Sequence, residues 1–311
     1  MDACIIRTLS YFDVFDYPLT LHEIKKYLCC KIDCTNEDFL EIIQSIPIIQ
    51  VSNGYYYLLG RQEITQKRSE RSVISVKKYA KAIIVSKLLS MIPTIEYIGI
   101  SGSLSMNNAA ATDDIDLFFI TKKGTLWMSR LAVVTMLFFL RQKRNKNERN
   151  ITDKICPNMF MEMGKLKFAK KRRDEYTAHE IVQLKTLFDR GSIYAYFLSK
   201  NKWIKNYIYN ISLTRGLLGK QSFGMRVALK MVAPVEKIVF GLQYLYMKKS
   251  KTIEEVGHNK AFFHPIDRST IVMDMFDLRY ERYSRIYEEN LWVDKDEARF
   301  YLDEKKIRIL N

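Results

Sequence analysis

Residues 94–121 of the chain read TIEYIGISGSLSMNNAAATDDIDLFFIT. Thr94 to Ile100 is a run of β-branched and aromatic residues that stops at Ser101-Gly102-Ser103-Leu104. About ten residues on, Thr112-Asp113-Asp114-Ile115-Asp116 leads straight into a second such run, Leu117 to Thr121. Two strands joined by a polar, glycine-bearing connection are expected. Strand side chains alternate with a period of two, so Asp114 and Asp116 should project to one face and Ile115 and Leu117 to the other. Carboxylates about 7 Å apart on one strand face can converge on a divalent cation, and magnesium wants hard oxygen ligands with positions left open for phosphates. Gly102 lets the backbone approach a phosphate, and Ser103 offers a hydroxyl and an amide where a helix is expected to begin.

Upstream, the first sixty residues read as a separate module. Asp2 to Phe15 is helical in pattern and breaks at Asp16-Tyr17-Pro18. Thr20 with Glu23, and Thr35 with Asp38, are capping boxes that open two further helices, the second carrying Phe39, Ile42, Ile43 and Ile46. After Pro47, Ile48 to Val51 and Tyr55 to Leu59 flank Asn53-Gly54, a strong hairpin signal. Three helices and a hairpin make a winged helix. The third helix holds Glu37, Asp38 and Glu41 and no Lys or Arg between Thr35 and Gln50, so no sequence-specific reading of DNA is expected from it. Arg61 to Ser90 should be a connecting helix, solvated in its first half and packed in its second.

Downstream, a helix is expected from Thr125 to about Gln142, then a strand over Lys154 to Glu162 whose Pro157 argues for an edge position. Asp174 to Glu180 opens a further helix, with Thr177 and Glu180 as its capping box and a buried stripe of Ile181, Leu184, Leu187 and Phe188. Gly257 to Arg268 shows neither helical nor strand periodicity, and its His258 and His264 have no cysteine nearby for structural zinc. Asp274 to Leu310 reads as a charged helix followed by a strand-like Ile307 to Leu310. The fold expected is α+β: an N-terminal winged-helix-like module (1–60), a connecting helix (61–93), a mixed sheet flanked by helices (94–190) and a mainly helical C-terminal region (191–311).

The chain has 311 residues, 48% hydrophobic, and its 50 Lys and Arg against 35 Asp and Glu give a net charge of +15. That excludes a disordered tail or a cysteine-stapled mini-protein and favours polyanionic partners. Five cysteines without zinc-ligand spacing suit reduced thiols and a cytoplasmic setting, and no export signal is expected. The longest apolar run, Leu131 to Leu140, is half the roughly 20 residues that a bilayer needs. Charge is concentrated: Arg141 to Asp174 carries a local +8, and Lys200 to Lys251, with eleven basic residues against one acidic, a local +10. The second block overlaps a long helical pattern, Met225 to Met247, with Trp203, Tyr207, Phe240, Tyr244 and Tyr246 in its neighbourhood. Basic and aromatic residues together suit RNA; an anionic membrane surface or a plain packed helical domain are the alternatives.

Ile100-Ser101-Gly102-Ser103 followed by Asp114-Ile115-Asp116-Leu117 resembles the signature of the nucleotidyltransferases of the DNA polymerase beta superfamily: hydrophobic-Gly-Ser, a gap of about ten, then Asp-hydrophobic-Asp-hydrophobic. The resemblance implies a mixed sheet flanked by helices and transfer of a nucleoside monophosphate from an NTP to a hydroxyl acceptor, releasing pyrophosphate. It implies that Ser103, beside Gly102, helps hold the β and γ phosphates and that Asp114 and Asp116 bind two magnesium ions. The family commonly adds a third carboxylate on a later strand; here Asn158 or Glu162 stands in that region, and Asn158 would be a neutral oxygen ligand. The Arg-Gly step often seen after the Gly-Ser is absent, Asn107-Asn108 and three alanines occupying the segment. His179, near the expected start of its helix, is either near a phosphate or acceptor or a surface residue. The Tyr-Thr-Ala-His-Glu turn, the Ile-Cys-Pro-Asn segment and the Tyr11-Phe12-Asp13 to Pro18-Leu19-Thr20 segment look like a little-characterised prokaryotic group of nucleotidyltransferase-domain proteins, a likeness that brings no substrate with it. A catalytically degenerate module that binds nucleotide or nucleic acid is the alternative to an enzyme.

Overall fold

The computed structural model describes residues 1–145, 148, 150–213, 234–245, 255–262 and 267–290. The chain divides into two compact units that are discontinuous in sequence. One comprises Met1–Glu70, Trp203–Ile211 and the described residues from Thr270 onward; the other comprises Arg71–Lys202 and the described residues between Ser212 and Ser269.

The first unit opens with α1 (Asp2–Asp13), α2 (Leu21–Tyr27) and α3 (Asn36–Gln44), followed by the antiparallel pair β1 (Ile49–Ser52) and β2 (Tyr55–Leu58). Both expected capping boxes form: Thr20 with Glu23, and Thr35 with Asp38, each exchange side-chain and backbone hydrogen bonds. Asn53 and Gly54 take positive φ, +52° and +76°, which turns β1 into β2. Ile5, Leu19, Ile24, Leu28, Phe39, Ile48 and Leu58 fill the core, while Glu37, Asp38 and Glu41 of α3 are exposed. The late segment completes this unit. Phe276 lies 5.7 Å from Tyr11, ring to ring, and buried Asp13 pairs with both Arg61 and Arg279.

α4 (Glu63–Leu89) is the long helix expected over 61–90. From Ser75 its buried positions Lys78, Ala82, Val85, Ser86 and Leu89 recur at helical spacing within the second unit, and Ala82, Val85 and Leu89 join its core. That unit is built on a six-stranded mixed sheet in the order β6-β3-β4-β5-β8-β7. β3 (Ile95–Ile100) and β4 (Ile115–Thr121) are antiparallel, and α5 (Leu126–Phe139) crosses over to β5 (Ile155–Glu162), which runs parallel to β4. Ile115, Leu117 and Phe119 project into the core with Ile98, Ile100, Trp127 and Phe160. The first amides of α5 are satisfied from far away. Trp127 and Met128 donate to the Glu236 carboxylate at 2.6 and 3.0 Å, and Glu236 lies in the helical stretch α8 (residues 234–245).

Several expectations need correction. Asp174, not Thr177, caps α6 (Glu175–Val182), its side chain accepting from the Thr177 amide at 2.7 Å. Leu184, Leu187 and Phe188 do not extend that helix: residues 185–189 form β6 (Lys185–Asp189), antiparallel to β3, and α7 (Ile193–Lys200) follows. The Gly257 region contains a hairpin, β7 (Glu255–Gly257) and β8 (Lys260–Phe262), and β8 pairs with β5. β5 is therefore an interior strand. Its Pro157 is tolerated because the β5–β8 ladder spans only Met159 to Met161 and a bulge follows the proline. The last described helix, α9, covers Asp267–Glu288. Most of the Met225–Met247 pattern and the Lys200–Lys251 charge block, including Lys248 and Lys249, lies outside the described residues, as do His264 and the strand expected at Ile307 to Leu310. Among the described residues no helix is long and apolar enough to cross a membrane.

Candidate functional site

The turn after β3 is shaped by Gly102. Its φ of +66° and ψ of −156° fall in a region essentially reserved for glycine, and a Cβ placed there would lie 3.1 Å from Asp116 Oδ2. The Ser101 amide donates to the Asp116 carbonyl at 3.0 Å, so the turn is tied directly to the head of β4. Beyond Gly102 the helix expected to begin at Ser103 is a single 3₁₀ turn, Ser103–Met106. Ser103 is exposed, and its hydroxyl donates to Asp113 Oδ2 at 2.9 Å; the Ala110 amide reaches the same oxygen at 2.9 Å.

The segment between Gly102 and Asp114 is held from below by α4. The buried Lys78 ammonium donates to the Ala111 and Asp113 carbonyls at 3.0 and 2.7 Å and pairs with Asp153 at 2.6 Å. Ser75 Oγ accepts from the Ala109 amide at 3.1 Å. These anchors fix the approach to Asp114 and Asp116.

Asp114, Asp116 and Cys156 each offer a ligand atom, and the three atoms lie within 4.8 Å of one another. Arg144 pairs with Asp114 Oδ2 at 2.6 Å. Asp116 Oδ1 is shut from solvent and has no hydrogen-bond partner among the described residues. Burial, reinforced by the Asp114 charge, pushes the Asp116 carboxyl up to about 7, with the Cys156 thiol and Arg268 opposing and Glu180 adding to the rise. Burial followed by the two aspartates drives the Cys156 thiol well above its ordinary range, so it stays protonated and hydrogen-bonds to the Asp116 carboxyl group.

The third position on β5 is settled by register. Asp116 faces Cys156 across the parallel β4–β5 pair, Leu117 faces Pro157 and Phe118 faces Met159, which leaves Asn158 as the extra residue of a β-bulge, fully buried. Glu162 faces Thr121, five rungs or about 16 Å along the sheet from the Asp116 rung. His179 sits in the second half of α6, buried, with Nδ1 3.5 Å from Gln183 Nε2. Its neighbour Glu180, together with Arg268, is what bears electrostatically on Asp116. Cys156, Arg144 and Lys78 carry no local signal, because each is set by a pairing at least thirty residues away in the chain: Cys156 with Asp116, Arg144 with Asp114, and Lys78 with Ala111 and Asp113.

Two positions beyond Asp116 on the same strand face, Phe118 lines a cavity of about 90 Å³ beneath α6, bounded also by Met159, Phe197, Phe262, Glu180 and Arg268. Burial, opposed by Arg268, pushes the Glu180 carboxyl up to about 7. Comparison of the chain with family models, with curated proteins and with solved structures found no match.

Proposed function

We propose that the second unit is a magnesium-dependent nucleotidyltransferase domain that transfers a nucleoside monophosphate from an NTP to a hydroxyl acceptor, accompanied by a winged-helix-like module in the first unit. The observation that carries this reading is the meeting of Gly102 and Asp116: a glycine-only backbone turn lies directly over a carboxylate whose Oδ1 has no partner among the described residues, with Asp114 beside it. The donor set fits a hard cation through the two aspartates; the protonated Cys156 sulfur is a soft atom and acts as a hydrogen-bond donor to Asp116.

Asp114 and Asp116 would hold magnesium. When bound, magnesium supplies neutralisation of the charge that develops on the leaving pyrophosphate. Arg144 holds the Asp114 carboxylate, and Lys78 and Ser75 hold the connecting segment, so the two carboxylates are positioned before any nucleotide arrives. Gly102 leaves room for phosphate oxygens to approach the backbone, and the exposed Ser103 hydroxyl exchanges Asp113 for a phosphate oxygen.

Cys156 in register with Asp116, where a third carboxylate would stand, favours a second reading: nucleotide binding without turnover. Titration with each NTP in the presence of magnesium, followed by incubation with RNA, protein and small-molecule acceptor pools, separates the two. In Asp114→Asn and Asp116→Asn, nucleotide binding should fall and any transfer rate should drop at least about 100-fold, or about 2.7 kcal/mol of barrier. Unchanged magnesium and nucleotide titrations in the folded double variant would sink both readings. As a partner for the basic block, RNA stands ahead of an anionic membrane on the strength of the +10 charge between Lys200 and Lys251 and the aromatic residues in its neighbourhood.

A further inference from the structure

The cavity beside Asp116 is a built feature of the second unit. Its rings brace one another: Phe118 and Phe197 are 5.5 Å apart, Phe168 and Phe197 6.2 Å, and Phe168 and Phe262 5.7 Å, centroid to centroid. Arg172 lies 4.5 Å over the Phe262 ring. The space, about 90 Å³, equals roughly six to nine water-sized positions. That is room for one six-membered ring with a short substituent, and too little for a whole nucleoside. Into this mainly apolar space α6 presents Glu180, whose charge burial leaves only partly compensated by Arg268; Asp174, Lys171 and Arg172 line it as well. A ligand that packs on the rings and meets Glu180 brings an apolar ring and a hydrogen-bond donor for that carboxylate.

The position of the cavity assigns it a role. Phe118 follows Asp116 on one strand face, so the cavity that it lines together with Glu180 adjoins the proposed metal and phosphate site. Cys156 leaves that site without a third carboxylate on β5, and the acidic group that lines the cavity from α6 is Glu180.

We propose that this cavity is the acceptor subsite: it takes a small ring-bearing alcohol, packs the ring among Phe118, Phe168, Phe197 and Phe262, and receives the hydroxyl's hydrogen bond at Glu180. The proposal rests on the nucleotidyltransferase reading above. In the transfer step the acceptor oxygen bonds to the α-phosphorus of the NTP, the bond from that phosphorus to pyrophosphate breaks with its electron pair leaving on pyrophosphate, and the hydroxyl proton passes to the Glu180 carboxylate. The products are the phosphodiester of the alcohol and pyrophosphate.

The test uses the full chain and benzyl alcohol as probe, with toluene as the same ring lacking the hydroxyl, followed by ligand-observed NMR without metal or nucleotide. Magnesium–NTP titrations run in parallel. Benzyl alcohol should bind, toluene at least about 5-fold more weakly, and Leu184→Trp, which fills the cavity, should weaken binding at least 10-fold. Glu180→Gln keeps the shape and should narrow the difference between benzyl alcohol and toluene. Both variants are first checked for an unchanged urea midpoint, and Met159→Trp serves as the filling variant if Leu184→Trp does not fold. Failure of benzyl alcohol to bind while nucleotide still binds overturns the subsite and leaves the nucleotidyltransferase reading standing. Equal binding of toluene, or displacement of benzyl alcohol by free adenine, also overturns it, the latter making the cavity a base pocket. Leu184-dependent benzyl alcohol binding with no nucleotide binding supports a ring-alcohol site and overturns its role in nucleotidyl transfer.

Discussion

Replacing Gly102 with alanine probes the link between the turn after β3 and the carboxylate beneath it. The backbone at φ +66° and ψ −156° costs a residue with a side chain about 1–3 kcal/mol. The new methyl would also stand 3.1 Å from Asp116 Oδ2, a few tenths of an ångström inside ordinary contact, and the group that must give is the proposed metal ligand. Gly102→Ala should therefore lower the stability of this unit by about 1–3 kcal/mol and weaken magnesium–nucleotide binding at least tenfold, about 1.4 kcal/mol. Gly54→Ala is the control: its φ is +76°, but no atom lies within 4 Å of the added carbon, and it belongs to the hairpin of the other unit. It should cost about 1–2 kcal/mol of that unit's stability and leave nucleotide binding alone. Urea melts read the first quantity and calorimetric titration the second. A Gly102→Ala protein that is destabilised yet binds magnesium and nucleotide like the wild type refutes the argument that this glycine exists to make room at Asp116.

Three further outcomes are expected. The Asp116 carboxyl is raised to about 7 by burial and by Asp114, so its favourable contribution is complete below the ordinary carboxyl range and is lost as pH climbs through about 7. The stability of Asp116→Asn relative to wild type, without metal, should thus rise between pH 4 and pH 8, by about 2–4 kcal/mol at most given partial solvent access, and a flat or opposite trend in urea midpoints would falsify this. Lys78→Met removes the donor shared by the Ala111 and Asp113 carbonyls and Asp153, and should cost about 2–4 kcal/mol; an unchanged melt would show that the loop is held by other means. The N-terminal module should contribute no sequence-selective duplex DNA binding because α3 exposes Glu37, Asp38 and Glu41, whereas RNA retention should fall steeply with salt and on charge reversal of Lys200, Lys202 and Lys205; selective duplex binding that is lost on substitution within α3, or indifference of RNA to both perturbations, contradicts these expectations.

What could be read from the sequence was what local chemistry determines. The two Thr capping boxes close over three residues, the Asn53-Gly54 turn over two, and the Asp114/Asp116 face over a period of two, and all of these stand as expected. The failures share a different cause. Leu184, Leu187 and Phe188 carry helical spacing, yet pairing with β3 makes residues 185–189 a strand, a contact nearly ninety residues away that no local window contains. Cys156 meets Asp116 through the register of two strands joined across α5, and a single-residue bulge at Asn158 alters which side chains share its face. Asp174 outcompeted Thr177 as cap because either could serve locally, and Ser269, whose hydroxyl donates to Asp174 at 2.8 Å, lies 95 residues further on.

The capping of α5 by Glu236 sets an order of events during synthesis. Thr125 flanks the start of the helix but makes no side-chain cap, and the carboxylate that receives the Trp127 and Met128 amides is 109 residues downstream of Trp127. At about 5–20 residues per second, the ribosome delivers Glu236 roughly 5–20 s after Trp127. For that interval the crossover between β4 and β5 has its sequence in place but not its cap, and the start of α5 should fray. A chain truncated before residue 236 would be caught in that state, with faster amide exchange at Trp127 and Met128 than in the full chain, and the sheet's consolidation would be a late, post-synthetic step.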